Sequence, residues 1–503
     1  MIDGDDATTD TGAAVYVAND IVYYEEGKDE TYGEGGKEDA HSKEEADKHT
    51  VVTITKPGTY TVSGSISAGQ IAVDLGEEAE EDASAVVNLI LDNAEITCSV
   101  APAIVVLNAY ECGDDKEENA TSTVDTAAAG FHLTLAKDSE NVINGAYVSK
   151  IYKDGTTKED VENDEAKKKY KFDAAIDSQV SFNIDAQENG KLTVNAENEG
   201  ISSALHMTIN GGEIVINSHD DAINTSEDYV SVLTINDGVI TCDSGLGDEG
   251  DGIDSNGYIV MNGGYVIAGA NGRSADSGID SDLGIFINGG TLLASGNMYD
   301  EVSSDSKQLF AVFNFAETVK EDEIIMITNE KDEPITAFSA ANDYSMTVYS
   351  QPELTEGTYR LYKVSSVKGD LNGSIYTNIT DYKDAVQLQT GGGFMMGGSG
   401  MGGGRPQMPE GTEFERPEGG KFEKPEEMPE GAMPPEGMEF PERPEDFEKF
   451  KGEKPLDAQG GQDSRGGRGG RGPGMGAGED AEPTTEFVLS KDNYQFGGIS
   501  AKR

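Results

Sequence analysis

Ile209-Asn210-Gly211-Gly212, Ile235-Asn236-Asp237-Gly238, Met261-Asn262-Gly263-Gly264 and Ile287-Asn288-Gly289-Gly290 follow one another at intervals of 26 residues. A period of roughly 20–30 residues made of short β-type segments marks a solenoid, because no single coil can bury its apolar face and neighbours must stack. With one Asn per coil in the same register, the amides can hydrogen-bond from rung to rung. The Gly that follows supplies the positive φ or crowded backbone of a tight corner. The stretch predicts an all-β chain organised as a parallel β-helix.

Working outward, short β-branched runs between Gly or Pro corners begin at Val51-Val52-Thr53-Ile54. They continue through Thr59–Val62, Ile71–Val73, Ala85–Leu91, Ile104–Leu107, Phe131–Leu135 and Val180–Ile184. Helical periodicity is nearly absent up to Gly296. The helix is therefore expected over 49–300, preceded by an acidic, largely disordered leader (1–48) with one strand near Ala13–Tyr24. Two polar inserts, Gly113–Gly130 and Lys153–Lys171, read as excursions, the second with a helical turn around Val161–Lys169. Longer strand-like runs over 301–390 predict a small β domain beside or capping the open end. Residues 484–503 are expected to fold back into it. Between them, 391–483 is low in complexity and holds twelve of the sixteen prolines, so no packed core is expected there.

Composition narrows the partners. The 503 residues carry 95 Asp and Glu against 37 Lys and Arg, a net charge of −58. That acidity argues against nucleic acid and against an anionic membrane leaflet, and outweighs the Arg465–Arg471 Arg-Gly-Gly run. No apolar segment approaches the roughly 20 residues of a membrane span, so direct insertion is not expected. Two roles for the acidity compete: solvation of acidic tails, and neutralisation of some carboxylates by Ca²⁺, which takes several hard oxygen ligands. Cys98, Cys112 and Cys242 have no metal-ligand spacing; Cys98 and Cys112 could pair, but thiols packed in rungs are favoured. The Met-Ile-Asp-Gly-Asp-Asp start lacks the form of a secretion signal, which fits a cytoplasmic chain or one whose signal has been removed.

Beside the Asn column runs a second one: Ala175-Ile176-Asp177-Ser178, Gly200-Ile201-Ser202-Ser203, Ala222-Ile223-Asn224-Thr225, Gly252-Ile253-Asp254-Ser255 and Gly278-Ile279-Asp280-Ser281. Each Ile is expected to stack inward at the strand spacing of about 4.8 Å, and the next residue to face out. Counting from each Ile, the positions three before and one after share that outward parity. They hold Asp220 with Asn224, Gly250 with Asp254, and Asp276 with Asp280. Asp221 and Asp251, two before, are less determined because a small residue permits a bend. Carboxylates stacked in register repel unless a cation lies between them. A single Asp-Gly pair reads as a solvated Asx turn; three coils in register favour Ca²⁺. His206 and His219 read as hydrogen-bonded structural residues. Tyr229, Tyr258, Tyr265 and Tyr299 could offer faces to sugar rings, with rung packing the safer assignment.

The order of motifs carries a resemblance. Gly58-Thr59-Tyr60-Thr61-Val62-Ser63-Gly64, Gly69-Gln70-Ile71-Ala72-Val73-Asp74, Leu89-Ile90-Leu91-Asp92-Asn93 and the Asp-Gly-Ile-Asp and Ile-Asn-Gly-Gly coils together resemble a family of secreted bacterial carbohydrate-binding proteins. The resemblance spans about Val51–Gly296 and implies a pectate-lyase-like right-handed parallel β-helix. It further implies a polysaccharide partner of cellulose or polygalacturonate type, an extracellular or cell-surface setting, and Ca²⁺ held between coils. The implied ligands are Asp220, Asp221, Asn224, Asp251, Asp254, Asp276 and Asp280. A non-catalytic binder leads. A polysaccharide lyase is the alternative, but it needs a base on the calcium face. Between Phe172 and Asp300 only Lys191 and Arg273 are basic. A surface adhesin or spacer is the third reading.

Overall fold

The computed structural model describes residues 8–391 and 484–497. The chain is all-β, built mainly from three ladders of short parallel strands. The first ladder stacks Thr50–Ile54, Gly69–Asp74, Ile104–Asn108, Ala174–Ser178, Glu199–Ser203, Ile223–Thr225 and Asp254–Ser255. The second and third both start on Gly58–Ile66, which pairs parallel with Val87–Cys98 at its front and its back. The second continues from the front of Val87–Cys98 through Phe131–Leu135, Phe182–Ala186, His206–Ile209, Val232–Ile235 and Tyr258–Met261 to Gly284–Ile287. The third runs from the back of that long strand through Glu140–Gly145, Lys191–Ala196, Glu213–Asn217, Val239–Asp243 and Tyr265–Gly269 to Thr291–Gly296.

Register explains the core. In the first ladder Ile104, Ile176, Ile201 and Ile223 are paired neighbours, and all are fully buried. Ile214, Ile240, Val266 and Leu292 form a matching file in the third, also fully buried. Each apolar side chain thus packs on its counterpart one rung away, which no isolated coil could supply. The Asn column lies on the outside: Asn236 Nδ2 donates to Asn210 Oδ1 at 2.9 Å, Asn262 to Asn236 at 3.0 Å and Asn288 to Asn262 at 3.0 Å. At each corner it is the second residue after Asn that takes the left-handed backbone, with φ of 107° at Gly212 and 83° at Gly264. A second amide file, Asn144–Asn195–Asn217, continues from Thr97 with bonds of 2.8–3.0 Å.

At each end of the stack an antiparallel strand covers one ladder. Val15–Ala18 lies antiparallel on Thr50–Ile54. Tyr344–Ser350 lies antiparallel on Thr291–Gly296 and is followed outward by Phe310–Val319. Beyond these, a seven-stranded antiparallel sheet gathers an aromatic core of Phe313, Phe338, Tyr349, Phe487 and Phe496, into which Ile267 and Leu293 of the third ladder also pack. Glu486–Leu489 pairs with Gly357–Val364 in that sheet, and Gln495–Phe496 runs parallel to Phe310–Val319.

Two expectations change. The leader over residues 8–48 is folded, with Ile21 and Tyr24 buried in the main core. Its Val, Ile and Tyr residues cover the exposed edge of the first coil, and that burial outweighs the acidic composition. The second insert carries its helical turn earlier, at Lys158–Glu162, capped by Thr157. Lys168–Phe172 is instead a strand, antiparallel to Val148–Tyr152. The expected low-complexity character of 391–483 falls, apart from Gly391, outside the described residues. All three cysteines are unpaired, with Cys98 and Cys242 buried in the third ladder. Among the described residues no helix is long and apolar enough to cross a membrane.

Because the Asn file is exposed and the Ile file is not, their contributions should separate. Ile223→Ala is expected to cost about 2–5 kcal/mol, and Asn236→Ala only about 0.5–1.5 kcal/mol. Denaturant midpoints of the two variants check this, and a larger loss for Asn236→Ala would reverse the assignment of what holds the coils.

Candidate metal centre

Every residue of the acidic face is placed by its distance from the stacked Ile of its coil. Asp177, Ser202, Asn224 and Asp254, each one after its Ile, are partners along the first ladder. Asp280 extends the file by backbone bonds, its N–H donating to Ile253 O at 2.8 Å and its C=O accepting from Ser255 N–H at 3.2 Å. The stretch leading into the ladder lengthens from six residues in one coil (Asn217 to Ile223) to ten in the next (Asp243 to Ile253). The added residues bring Asp248 and Glu249 onto the same side of the chain. Glycine is required in this longer turn: a Cβ on Gly247 would meet His219 O at 1.8 Å, and Gly250 has φ of 144°.

Asp251, Asp254 and Asp280 come together, each with a carboxylate oxygen within 4.8 Å of the others. Asp221 joins them through the backbone, its Oδ1 accepting the Asp251 N–H at 2.7 Å, while Asp251 Oδ1 accepts the Ser277 N–H at 2.5 Å. Asp276 Oδ2 accepts the Gly250 N–H at 2.7 Å and the Ser274 hydroxyl. Asp220 is partly buried beside this row. Asn224 Nδ2 donates to Glu199 Oε1 at 3.0 Å, which leaves Asn224 Oδ1 and Glu199 Oε2 buried with no hydrogen-bond partner. Two orphaned acceptors beside a row of carboxylates are costly. A cation bound by oxygens would relieve both that cost and the mutual repulsion.

The electrostatics agree. Burial, followed by Glu249 and Asp276, pushes Asp220 up to about 6. Asp221 is held well above the usual carboxylate range by burial and then by Asp254 and Asp251. Asp251 is raised by burial, Asp280 and Asp254. The same strain extends back over two coils: burial, Asp173 and Asp220 raise Glu199 one coil back, and burial and Asp173 raise Asp177 to about 7 two coils back.

Counting from the Ile residues reaches Asp173 (three before Ile176), Asp177 (one after) and Glu199 (two before Ile201), which the sequence reading left out. Lys171 was missed because it lies one residue outside the basic residues that were counted. Its Nζ is 2.7 Å from Asp173. Burial would lower its pKa, but Asp173, Glu199 and Asp177 together raise it. Asp300 also escaped notice; its Oδ2 accepts the Ser281 N–H at 3.0 Å, beside Asp280 Oδ1 at 2.9 Å. Arg273 is exposed, donates to Gly247 O and lies 3.9 Å from Asp248, in the longer turn that also carries Glu249. His206 is buried and its pKa drops to about 4, and His219 Nδ1 lies 2.9 Å from Ala196 O. Tyr299 is fully buried, so it offers no face; Tyr229 is 42% exposed.

Comparison with known proteins bears on the whole first part of the chain. The family described as carbohydrate-binding domain-containing protein matches residues 48–331, more than half of the 503. The chain belongs to that family. A carbohydrate-binding domain-containing protein of Acetivibrio thermocellus is 30% identical over 168 residues, 33% of this chain and 45% of that protein. The chain therefore spans less than half the length of this relative. A solved structure of the polysaccharide lyase-like protein from C. thermocellum, a gadolinium derivative, aligns at 24% identity and a TM-score of 0.33 over 48% of this chain and 79% of that one.

Carboxyls whose folded pKa is raised favour the protonated native state, so the cation-free protein should lose stability as pH rises from about 4 towards 7. The shifts of Asp220 to about 6 and Asp177 to about 7 set that window. Melting curves in a chelator should show the temperature falling across it, and millimolar Ca²⁺ should remove the fall. A melting temperature that rose with pH in chelator would contradict these burial effects.

Proposed function

We propose that this chain is a non-catalytic, calcium-dependent polysaccharide-binding protein whose three ladders wind as a right-handed parallel β-helix. The observation that carries the reading is the Asp251–Asp254–Asp280 group, drawn from successive coils. The orphaned oxygens of Asn224 and Glu199 lie one and two coils back from Asp254. Asp251, Asp254 and Asp280 are the core of the ligand set, with Asp221, Asp276 and Asp220 around them and Asn224 toward Glu199. Ca²⁺ suits this donor set because it accepts six to eight oxygens in irregular geometry. When bound it supplies positive charge to a face that is otherwise acidic, so that sugar hydroxyls or uronate carboxylates can approach a chain of charge −58.

Membership of a carbohydrate-binding family supports a saccharide partner, and the resemblance carried by the motif order suggests a polymer of pectin or cellulose type. An extracellular or cell-surface setting fits a partly open site filled at the higher Ca²⁺ levels that extracellular modules use. A lyase would need an unprotonated amine near the cation. Lys171, paired with Asp173, is held as an ammonium and suits contact with an anion better than proton abstraction.

Asp251→Asn and Asp254→Asn should each weaken Ca²⁺ binding by at least about tenfold, as measured by calorimetry, because each removes a charged oxygen ligand. Retention of the wild-type protein on insoluble polysaccharide should fall at least about tenfold in EDTA and return with Ca²⁺. Unchanged calcium titration in both variants would remove the ligand set. A rise in unsaturated-uronate absorbance on adding polygalacturonate and Ca²⁺ would replace the binder with a lyase.

A further inference from the structure

A second surface has the opposite character to the acidic face. The leader crosses the hairpin made by Val148–Tyr152 and Lys168–Phe172, with Gly33 bridged to Ile151 and the Glu34 N–H donating to Lys150 O at 2.9 Å. This crossing needs glycine, since a Cβ on Gly33 would meet Lys150 O at 2.1 Å and one on Gly35 the Tyr24 ring at 2.7 Å. Between leader and hairpin lies a groove of about 610 Å³, lined on one side by Tyr23 and Tyr32 and on the other by Tyr152 and Tyr170. That volume is in the range of small-molecule sites.

Charge in the groove is balanced. Lys28, Lys153 and Lys169 meet Glu25, Asp29 and Asp154 in its lining, within a chain that has far more acids than bases. Lys28 sits over the Tyr32 ring at 4.9 Å and is paired with Glu25, and Lys169 is paired with Asp154 at 3.0 Å. Lys153 is exposed and forms no ion pair among the described residues. A pyranose ring has an apolar C–H face and a rim of hydroxyls. Lys28, Lys150 and Lys169 lie over the Tyr32, Tyr152 and Tyr170 rings at 4.9, 5.7 and 5.7 Å, and Tyr152 is buried. The apolar area left to a sugar is that of the half-buried Tyr23, Tyr32 and Tyr170, beside ammonium and carboxylate groups that can hydrogen-bond its hydroxyl rim.

We propose that this groove is a second saccharide site that takes a short oligosaccharide without a divalent cation. The inference rests on the carbohydrate-binding reading but not on the acidic face. Half of the groove comes from residues 21–32, which precede the family match at 48–331. The leader side of the site therefore lies outside the family match, and the hairpin side, residues 151–170, lies within it. The site would let the protein hold a polymer at two separate points, and tethering a second contact raises the retention of a chain already bound at the first.

The full chain, titrated in excess EDTA with short cello-oligosaccharides and with oligogalacturonates, tests this by calorimetry. The two ligands separate a neutral from an anionic sugar. Saturable binding of at least one is expected in chelator, unchanged in Asp251→Asn. Tyr170→Ala should weaken it about tenfold or more. Lys153→Glu, at an exposed position that cannot unfold the chain, should weaken it as well, and most strongly for the galacturonates. Binding in EDTA that both variants leave unchanged overturns the proposal. So does a chain that captures insoluble polysaccharide with Ca²⁺ yet binds neither oligosaccharide in EDTA, with the carbohydrate reading left standing. A chain that captures nothing in either buffer removes both.

Discussion

Parallel stacking in register repeats whatever one coil does at the spacing of neighbouring strands, about 4.8 Å. That single constraint acts with opposite sign on the two kinds of column. Ile176, Ile201 and Ile223 gain from being superposed, because each is buried by the next. Asp221, Asp251 and their neighbours lose by it, because each carboxylate raises the pKa of the next. The acidic face cannot relax by sliding, since a shift of register would take the Ile file out of the core with it. The apolar file therefore fixes the carboxylates in an arrangement they would not adopt alone.

This coupling explains what the sequence made legible. Residue offsets from an Ile survive the variable loops, so Asn224, Asp254 and Asp280 could be placed on one outward line before any coordinates. The even spacing of 26 residues held for the outer Asn file but not for the first ladder. There, from Ile176 onward, the distance between successive Ile residues runs from 22 (Ile201 to Ile223) to 30 (Ile223 to Ile253), and the paired Ile104 and Ile176 are 72 apart. Glu199 and Asp173 obey the same offsets, but their coils lack the Asp-Gly-Ile-Asp pattern that drew attention to the others. Lys171 sits in a polar insert whose strand pairing with Val148–Tyr152 no local pattern announced. The direction of Asp221 and Asp251 also lay beyond alternation, since it depends on the bend into the ladder and on backbone donors from the following coil.

The leader shows the limit of composition as a guide. Its acidic residues outnumber its basic ones, yet the buried members Ile21 and Tyr24 decide its fate. An open end of a parallel stack exposes unpaired backbone and apolar side chains, and such an end must be covered. Val15–Ala18 does so by reversing direction, as Tyr344–Ser350 does at the other end. In both places an antiparallel strand ends the parallel series of one ladder, the first at one end and the third at the other.

The leader end also separates the two proposed ways of meeting sugar. On the acidic face, repetition concentrates like charge, so under the proposed function affinity for a polysaccharide would come through a cation. At the leader and hairpin no coil repeats, so unlike residues can be set side by side, and the lysines of the groove offset its acids. If the first face is filled only when Ca²⁺ is abundant while the second is always available, the protein would bind weakly through the groove in a chelating medium and tightly through both where calcium is plentiful. Retention would then respond to calcium as a graded change in avidity instead of a simple loss of binding.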